Sequence, residues 1–287
     1  MSAVRRRRFA QVDVFGERPL AGNPVAVVLD GDGLDDDEMQ ALARWTNLSE
    51  TTFVLSPTDA SADYRVRIFT PDGELPFAGH PTLGTAHAWL ASSGRPTEID
   101  DTVDTDVLVQ ECALGPIRLR RTDSRLAFAA PPVRSAEIGS DVLASLLDAV
   151  GLDPAVVRGA RILDNGPAWH TLLVASSELV LGLEPDLQAL RSLPMVGVVG
   201  PHPDGHPQRF EVRAFAPSVG APEDPVTGSL NAAIGQWLIG EGVAPASYVA
   251  AQGTRLGRSG RVHIDADDAD VWVGGNTTTI MEGTVTL

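Results

Sequence analysis

The chain has 287 residues, 43% of them hydrophobic, enough for two domains of ordinary size with substantial cores. Its formal net charge of −16 argues against a nucleic-acid partner, whose phosphates most of the surface would repel. All 22 basic residues are arginine, which excludes Schiff-base chemistry with pyridoxal phosphate, a P-loop lysine and Ser-Lys hydrolysis.

The opening MSAVRRRRFAQVDVF has a basic cluster but not the apolar stretch and small-residue cleavage site of a secretory signal, so a cytoplasmic location is expected. Arg5 to Arg8 read as a solvated lead-in to the first strand. AVVLD (26–30) is a short buried strand, MQAL (39–42) an amphipathic helix, FVL (53–55) a strand and VRIF (66–69) a half-buried strand. A Pro/Gly loop then leads into a helix expected to begin at His80, with 86–91 as its central part. IRLRR (117–121) and RLAFAA (125–130) are further strands, as is TLLVA (171–175). LQAL (187–190) is a second amphipathic helix, and VGVV (196–199) and VRAF (212–215) are strands. A last helix, expected to begin at Asp224 and to run through 229–239, precedes strands RVHID (261–265) and DVWVGG (270–275). No run of 18 apolar residues exists, and no membrane partner is expected.

Several catalytic classes are missing. There is no GxSxG or HExxH motif, and Cys112 is the only cysteine, so no intramolecular disulfide or cysteine metal cluster can form. His202 and His206, in PHPDGHP, lack a third ligand nearby and read as loop residues rather than as a metal pair.

The chain carries a weak internal repeat. MQAL at 39 meets LQAL at 187, VRIFTP at 66 meets VRAFAP at 212, HPTLGTA at 80 meets DPVTGSL at 224, and LGP at 114 meets LGR at 256. The offsets run 148, 146, 144 and 142, the smooth drift that insertions and deletions in two related halves would produce. Two α+β domains are therefore expected, 1–122 with a C-terminal strand at about 279–287, and 123–278. A pseudo-twofold relation would bring equivalent loops face to face across a cleft.

Differences between the halves point to chemistry. One half offers His80 where the other offers Asp224, each followed by proline at the expected first helical position. Glu50, in NLSETTF and read as lying in the loop that leads to a strand, has no carboxylate counterpart in SLPMVGVV. Thr85 and Ser229 lie just inside the helices, where donation to nearby backbone carbonyls is the ordinary role. Two helix N-termini supply free N–H groups and positive dipole ends suited to a carboxylate, and the glycines of AGHPTLG and VTGS let the backbone approach a ligand. An Asp–His pair could hold an amino or hydroxyl group, while Glu50, among Leu48, Thr51, Thr52 and Phe53, could be desolvated enough to shuttle a proton. These residues suit an enzyme that moves protons on a small carboxylic acid. His87 and Trp89 read as packing residues.

VDVFGERPLAGNPVAVVL, NLSETTFVL, RIFTPDGELPFAGHPTLGTA and DPVTGSLNAA, in that order, resemble the PhzF family of phenazine-biosynthesis-like isomerases over nearly the whole chain. The resemblance implies the diaminopimelate epimerase fold, two α+β domains each with a barrel-like sheet around a central helix, and a homodimer. In the epimerases and racemases of that fold a cysteine from each half forms the acid–base pair, and Cys112 sits outside both helix starts. The phenazine-type arrangement is implied instead, with Glu50 as general acid/base and His80, Asp224 and Ser229 as the other polar residues of the site. The backbone of Gly79, His80, Gly228 and Ser229 would bind the substrate carboxylate. The implied reaction is isomerisation of a compound such as dihydro-3-hydroxyanthranilate, with no metal or organic cofactor, and a place in secondary metabolism such as antibiotic biosynthesis. Epimerisation with Glu50 opposed to His80 or Asp224, and a binding protein without turnover, are the alternatives.

Overall fold

The computed structural model describes residues 5–93, 107–122 and 125–287, and the chain forms two units. Unit 1 comprises Met1–Ala129 and Gly274–Leu287, and unit 2 comprises Ala130–Val273. Asp123, where the second domain is expected to start, lies outside the described residues.

Unit 1 begins with β1 (Arg6–Val14), β2 (Asn23–Val28), helix α1 (Asp36–Thr46), β3 (Glu50–Leu55), β4 (Tyr64–Phe69) and β5 (Glu74–Leu75). Helix α2 (Gly79–Ser93), β6 (Leu108–Cys112), β7 (Gly115–Thr122) and β8 (Arg125–Ala129) follow. Asp35 and Glu38 form a capping box at the start of α1, where three acidic residues also suit the helix dipole. Pairing is antiparallel for β1–β2, β3–β4, β4–β5, β6–β7 and β7–β8, and parallel for β2–β3 and β4–β6.

Unit 2 contains β9 (Arg134–Ala136), α3 (Ser140–Val150), β10 (Val157–Asp164), β11 (Ala168–Val174), α4 (Ser177–Leu181), α5 (Leu187–Leu190), β12 (Val196–Pro201), β13 (Phe210–Ala216) and β14 (Ala221–Asp224). It continues with α6 (Gly228–Gly240), β15 (Ser247–Gln252), β16 (Gly260–Ala266) and β17 (Val271–Gly275), the last running into unit 1. The closing strand β18 (Thr277–Thr286) returns to pair antiparallel with β1. The pairings β10–β11 antiparallel, β11–β12 parallel, β12–β13 antiparallel, β13–β15 parallel and β15–β16 antiparallel reproduce those of unit 1 in the same order. The internal repeat is thus a repeat of topology.

Each unit has one helix buried nearly all round, as an element in the middle of a curved sheet must be. Every residue of α2 from Gly79 to Ala86 is buried, as are ten residues of α6. Gly84 explains the close packing of α2, because a Cβ there would overlap Val25 and stand 3.1 Å from Val14 Cγ2. This corrects the expectation that Gly84 makes room for a ligand: it lets the helix approach β1 and β2. Buried polar pairs stitch the same helix down, with Thr85 Oγ1 donating to Thr52 Oγ1 at 2.8 Å and Gln110 Nε2 to Thr82 Oγ1 at 3.0 Å. Thr85 therefore bonds another side chain rather than a backbone carbonyl.

The arginine lead-in is also corrected. Arg7 is inside β1 and buried, and its Nη1 donates to the carbonyls of Asp30 and Asp32, while Arg8 pairs with Asp30 at 2.7 Å. His87 contacts Thr277 and Thr279 of β18 through its two ring nitrogens, at 2.9 and 3.0 Å, and Trp89 stacks on Tyr64. Both hold α2 in place, as packing residues do.

Candidate active site

In unit 1 the sequence GELPFAGHP folds in three steps. Glu74 and Leu75 pair with Phe69 and Ile68, Phe77 is fully buried edge-on to Phe128, and α2 then starts at Gly79. The first helical hydrogen bond runs from Thr82 N–H to the Ala78 carbonyl, which puts Pro81 at the third helical position, not the first. Since proline has no N–H, α2 presents only the N–H groups of Gly79 and His80 beyond its own ladder.

Glu50 is the first residue of β3 rather than part of a loop, and it lies opposite Val25 of β2. His80 Nε2 stands 3.2 Å from Glu50 Oε2, with 4% and 14% of the two side chains exposed. Such an approach to a carboxylate ordinarily favours imidazolium, but burial outweighs it and drives the His80 pKa down to about 3, despite a hydrogen bond with the Pro24 carbonyl that pulls the other way. With the ring neutral the contact is not an ion pair, and at 3.2 Å His80 Nε2 faces the carboxyl group without an aligned hydrogen bond. A neutral ring carries one N–H. Pointed at Pro24, it leaves Nε2 as an acceptor facing the carboxyl group; pointed at Glu50, it makes Nε2 a donor facing the carboxylate. The pair has a base form, with Glu50 ionised, and an acid form that carries one more proton on Glu50, which suits Glu50 for taking up and returning a proton. Asn23 Nδ2 lies 3.4 Å from His80 Nδ1 and closes the inner side.

In unit 2 the second helix start differs from expectation. Asp224 is the last residue of β14, and α6 begins at Gly228 with Thr227 as its N-cap, so the Asp-Pro pair precedes the helix instead of opening it. Thr227 has no side-chain capping bond. Its Oγ1 donates to Asp224 Oδ2 at 2.6 Å, which ties the carboxylate to the helix start. Fully buried Gln252 organises the turn. Its Oε1 accepts from Thr227 N–H (2.9 Å) and Asn231 Nδ2 (2.8 Å), while Nε2 donates to the Asp224 carbonyl (3.0 Å) and Thr227 Oγ1 (2.8 Å). Gly253, at φ +85, leaves space for the Pro225 carbonyl. Helix α6 presents the N–H groups of Gly228, Ser229 and Leu230, because its ladder starts from Asn231 N–H to the Thr227 carbonyl. Ser229, expected to donate to a backbone carbonyl, instead accepts at Oγ from Trp169 Nε1 at 3.2 Å.

The unit 1 site thus unites Glu50 and His80, and the unit 2 site unites Asp224 with the α6 start that carries Gly228 and Ser229. Gln252, Trp169 and Asn23 went unseen in the sequence. Gln252 has a faint signal, a polar residue closing an apolar strand before glycine; the others have none. Cys112 is not a candidate acid or base, since it is buried, its Sγ contacts the Gly115 carbonyl at 3.3 Å, and burial pushes its pKa up. His202 and His206 stack on each other with centroids 4.0 Å apart, and among the described residues no group of three His, Cys, Asp or Glu side chains could hold a metal ion. An apolar groove of about 740 Å³ in unit 1, lined by Phe9, Leu42, Trp45 and Leu287, has no acid–base pair; its Glu38 is engaged in the α1 capping box.

Residues 12–283 match the family model described as phenazine biosynthesis-like protein, PhzC-PhzF. The chain is 35% identical to antisense-enhancing sequence 1 of Schizosaccharomyces pombe, with 96% of this chain and 97% of the relative covered. It is also 35% identical to trans-2,3-dihydro-3-hydroxyanthranilate isomerase of Pseudomonas aeruginosa, covering 96% and 98% of the two chains. In fold it matches a PhzF-family phenazine biosynthesis protein of Bacillus anthracis at a TM-score of 0.80 and 22% identity, over 99% of this chain and 100% of that one. The architecture is the diaminopimelate epimerase-like one implied by the sequence motifs. The chain belongs to the PhzC-PhzF family of phenazine biosynthesis-like proteins.

Proposed function

We propose that the protein is a cofactor-independent isomerase that moves a proton along a small conjugated carboxylic acid bearing an amino or hydroxyl group. The observation that carries this reading is the buried contact between Glu50 and His80, a carboxyl group beside an imidazole that stays neutral, so that a proton taken from the substrate resides on Glu50. The Glu50 carboxylate takes a proton from a C–H next to the conjugated system, the electron pair moves along the double bonds, and the same proton returns at the far carbon. Nothing is oxidised or reduced, so the residues alone balance the reaction. In unit 1 the N–H groups of Gly79 and His80 at the start of α2 are donors suited to a carboxylate. In unit 2 the N–H groups at the start of α6 and the Ser229 hydroxyl are donors of the same kind, and Asp224 is an acceptor suited to an amino or hydroxyl group.

Membership of an isomerase-bearing family supports this reading, and trans-2,3-dihydro-3-hydroxyanthranilate, named for the P. aeruginosa relative, is the compound of first choice. A homodimer, a cytoplasmic location and a place in secondary metabolism belong to the same proposal. Among the described residues no helix is long and apolar enough to cross a membrane. The test is turnover of that compound, followed by NMR, by the wild type and by Glu50→Gln. The wild type should form the isomer, and Glu50→Gln should bind the compound but lose about 10²- to 10⁴-fold in rate. A Glu50→Gln rate equal to wild type sinks the assignment.

A further inference from the structure

The Trp169–Ser229 contact joins β11 to the start of α6 across 60 positions of sequence, with both side chains buried. An indole N–H can only donate, so Ser229 Oγ must be the acceptor in this bond. The Ser229 hydroxyl hydrogen is then directed elsewhere, and among the described residues Oγ makes no other hydrogen bond. The backbone of the same residue is fixed from the same hairpin, because Asn165 Nδ2 donates to the Ser229 carbonyl at 2.9 Å. Asn165 and Trp169 flank the turn from β10 to β11, where Leu163 pairs with Trp169. One hairpin thus sets both the position of Ser229 and the direction of its hydroxyl.

A serine at the second position of a helix can rotate its hydroxyl onto a carbonyl of the preceding turn, which would silence it as a donor to a ligand. The indole N–H occupies a lone pair of Oγ and opposes that rotation. We propose that Trp169 is a positioning residue, which holds the Ser229 hydroxyl as a hydrogen-bond donor to the substrate's carboxylate. This rests on the reading of the α6 start as a carboxylate site. It adds that the donor's direction is set from β11.

The test is a double-mutant cycle on the full chain, with Trp169→Phe, Ser229→Ala and the double variant. Binding of anthranilate, an unreactive aromatic amino acid with the relevant carboxylate, is measured by titration calorimetry. Trp169→Phe should weaken binding by about tenfold, the scale of one hydrogen bond to a charged group. In the Ser229→Ala background the same change should have no further effect. Equal weakening in both backgrounds would show that Trp169 acts by packing and would overturn the proposal. So would unchanged binding in Trp169→Phe alongside weakened binding in Ser229→Ala. Trp169→Tyr, which keeps more of the ring volume, follows the same expectation should the phenylalanine variant not fold. A wild type that binds neither anthranilate nor benzoate overturns the carboxylate-site reading itself, and this assignment with it.

Discussion

His80 should make the fold acid-labile in a way that a single substitution removes. Its folded pKa, near 3, lies below the ordinary value of 6.5, because burial disfavours the charged ring. Between those values the unfolded chain binds one proton that the folded chain does not, so ν_U exceeds ν_N and stability rises with pH. The penalty is absent above about pH 6.5, grows as pH falls, and is complete near pH 3. Its slope is about 1.4 kcal/mol per pH unit, so the wild type should lose about 2 to 3 kcal/mol between pH 6 and pH 4 through His80 alone. His80→Asn removes the titrating ring. Urea unfolding of both proteins at half-unit steps from pH 4 to pH 7 isolates this contribution, since the other carboxylates titrate in both. The stability curve of His80→Asn should be flatter by about one proton over that window, whatever its absolute stability. Parallel curves would refute the reasoning, because they would mean that His80 is protonated in the folded protein and paired with an ionised Glu50.

Three further substitutions probe how the sites are held. Gly84→Ala gains about 1 kcal/mol of helix propensity but forces a methyl into Val25, so thermal unfolding should show a net loss of about 1 to 2 kcal/mol. Gln252→Met leaves the Thr227 N–H and the Asp224 carbonyl without their buried partner, and denaturant unfolding should register a loss of about 2 to 4 kcal/mol. Arg213 pairs with Glu223 at 2.8 Å with both side chains largely buried, and donates to the Val180 and Leu183 carbonyls; Arg213→Met should cost about 3 to 5 kcal/mol by the same measurement.

Most of the architecture was legible because it repeats. The matched segments at 39 and 187 both fall in helices, those at 66 and 212 in strands that pair antiparallel with the strand before them, and those at 80 and 224 at or just before the start of the buried helix. Apolar runs such as AVVLD and VGVV became β2 and β12, since a strand covered on both faces reads as continuously apolar. The helix starts were legible only to within a turn. Asp-Pro looks like a cap and a first helical residue, but in unit 2 the backbone spends Asp224 on β14, and the following turn is held by Gln252 from β15. That bond spans 25 positions, and local pattern cannot anticipate it. Similarly, nothing near Ser229 announces Trp169, and nothing near Arg7 announces the Asp30 and Asp32 carbonyls that bury it. The chemistry of Glu50 and His80 was suggested by residue type and family likeness, whereas their 3.2 Å contact and the neutrality of the ring depend on how β3 packs against α2.

The most direct test of the central claim is the isomerisation of trans-2,3-dihydro-3-hydroxyanthranilate in deuterium oxide, with product deuterium located by NMR and mass spectrometry. If Glu50 carries the proton, the wild-type product gains deuterium at the reprotonated carbon to the extent that the carboxyl group exchanges with solvent during turnover, and Glu50→Gln incorporates none. Full incorporation by Glu50→Gln would contradict the account.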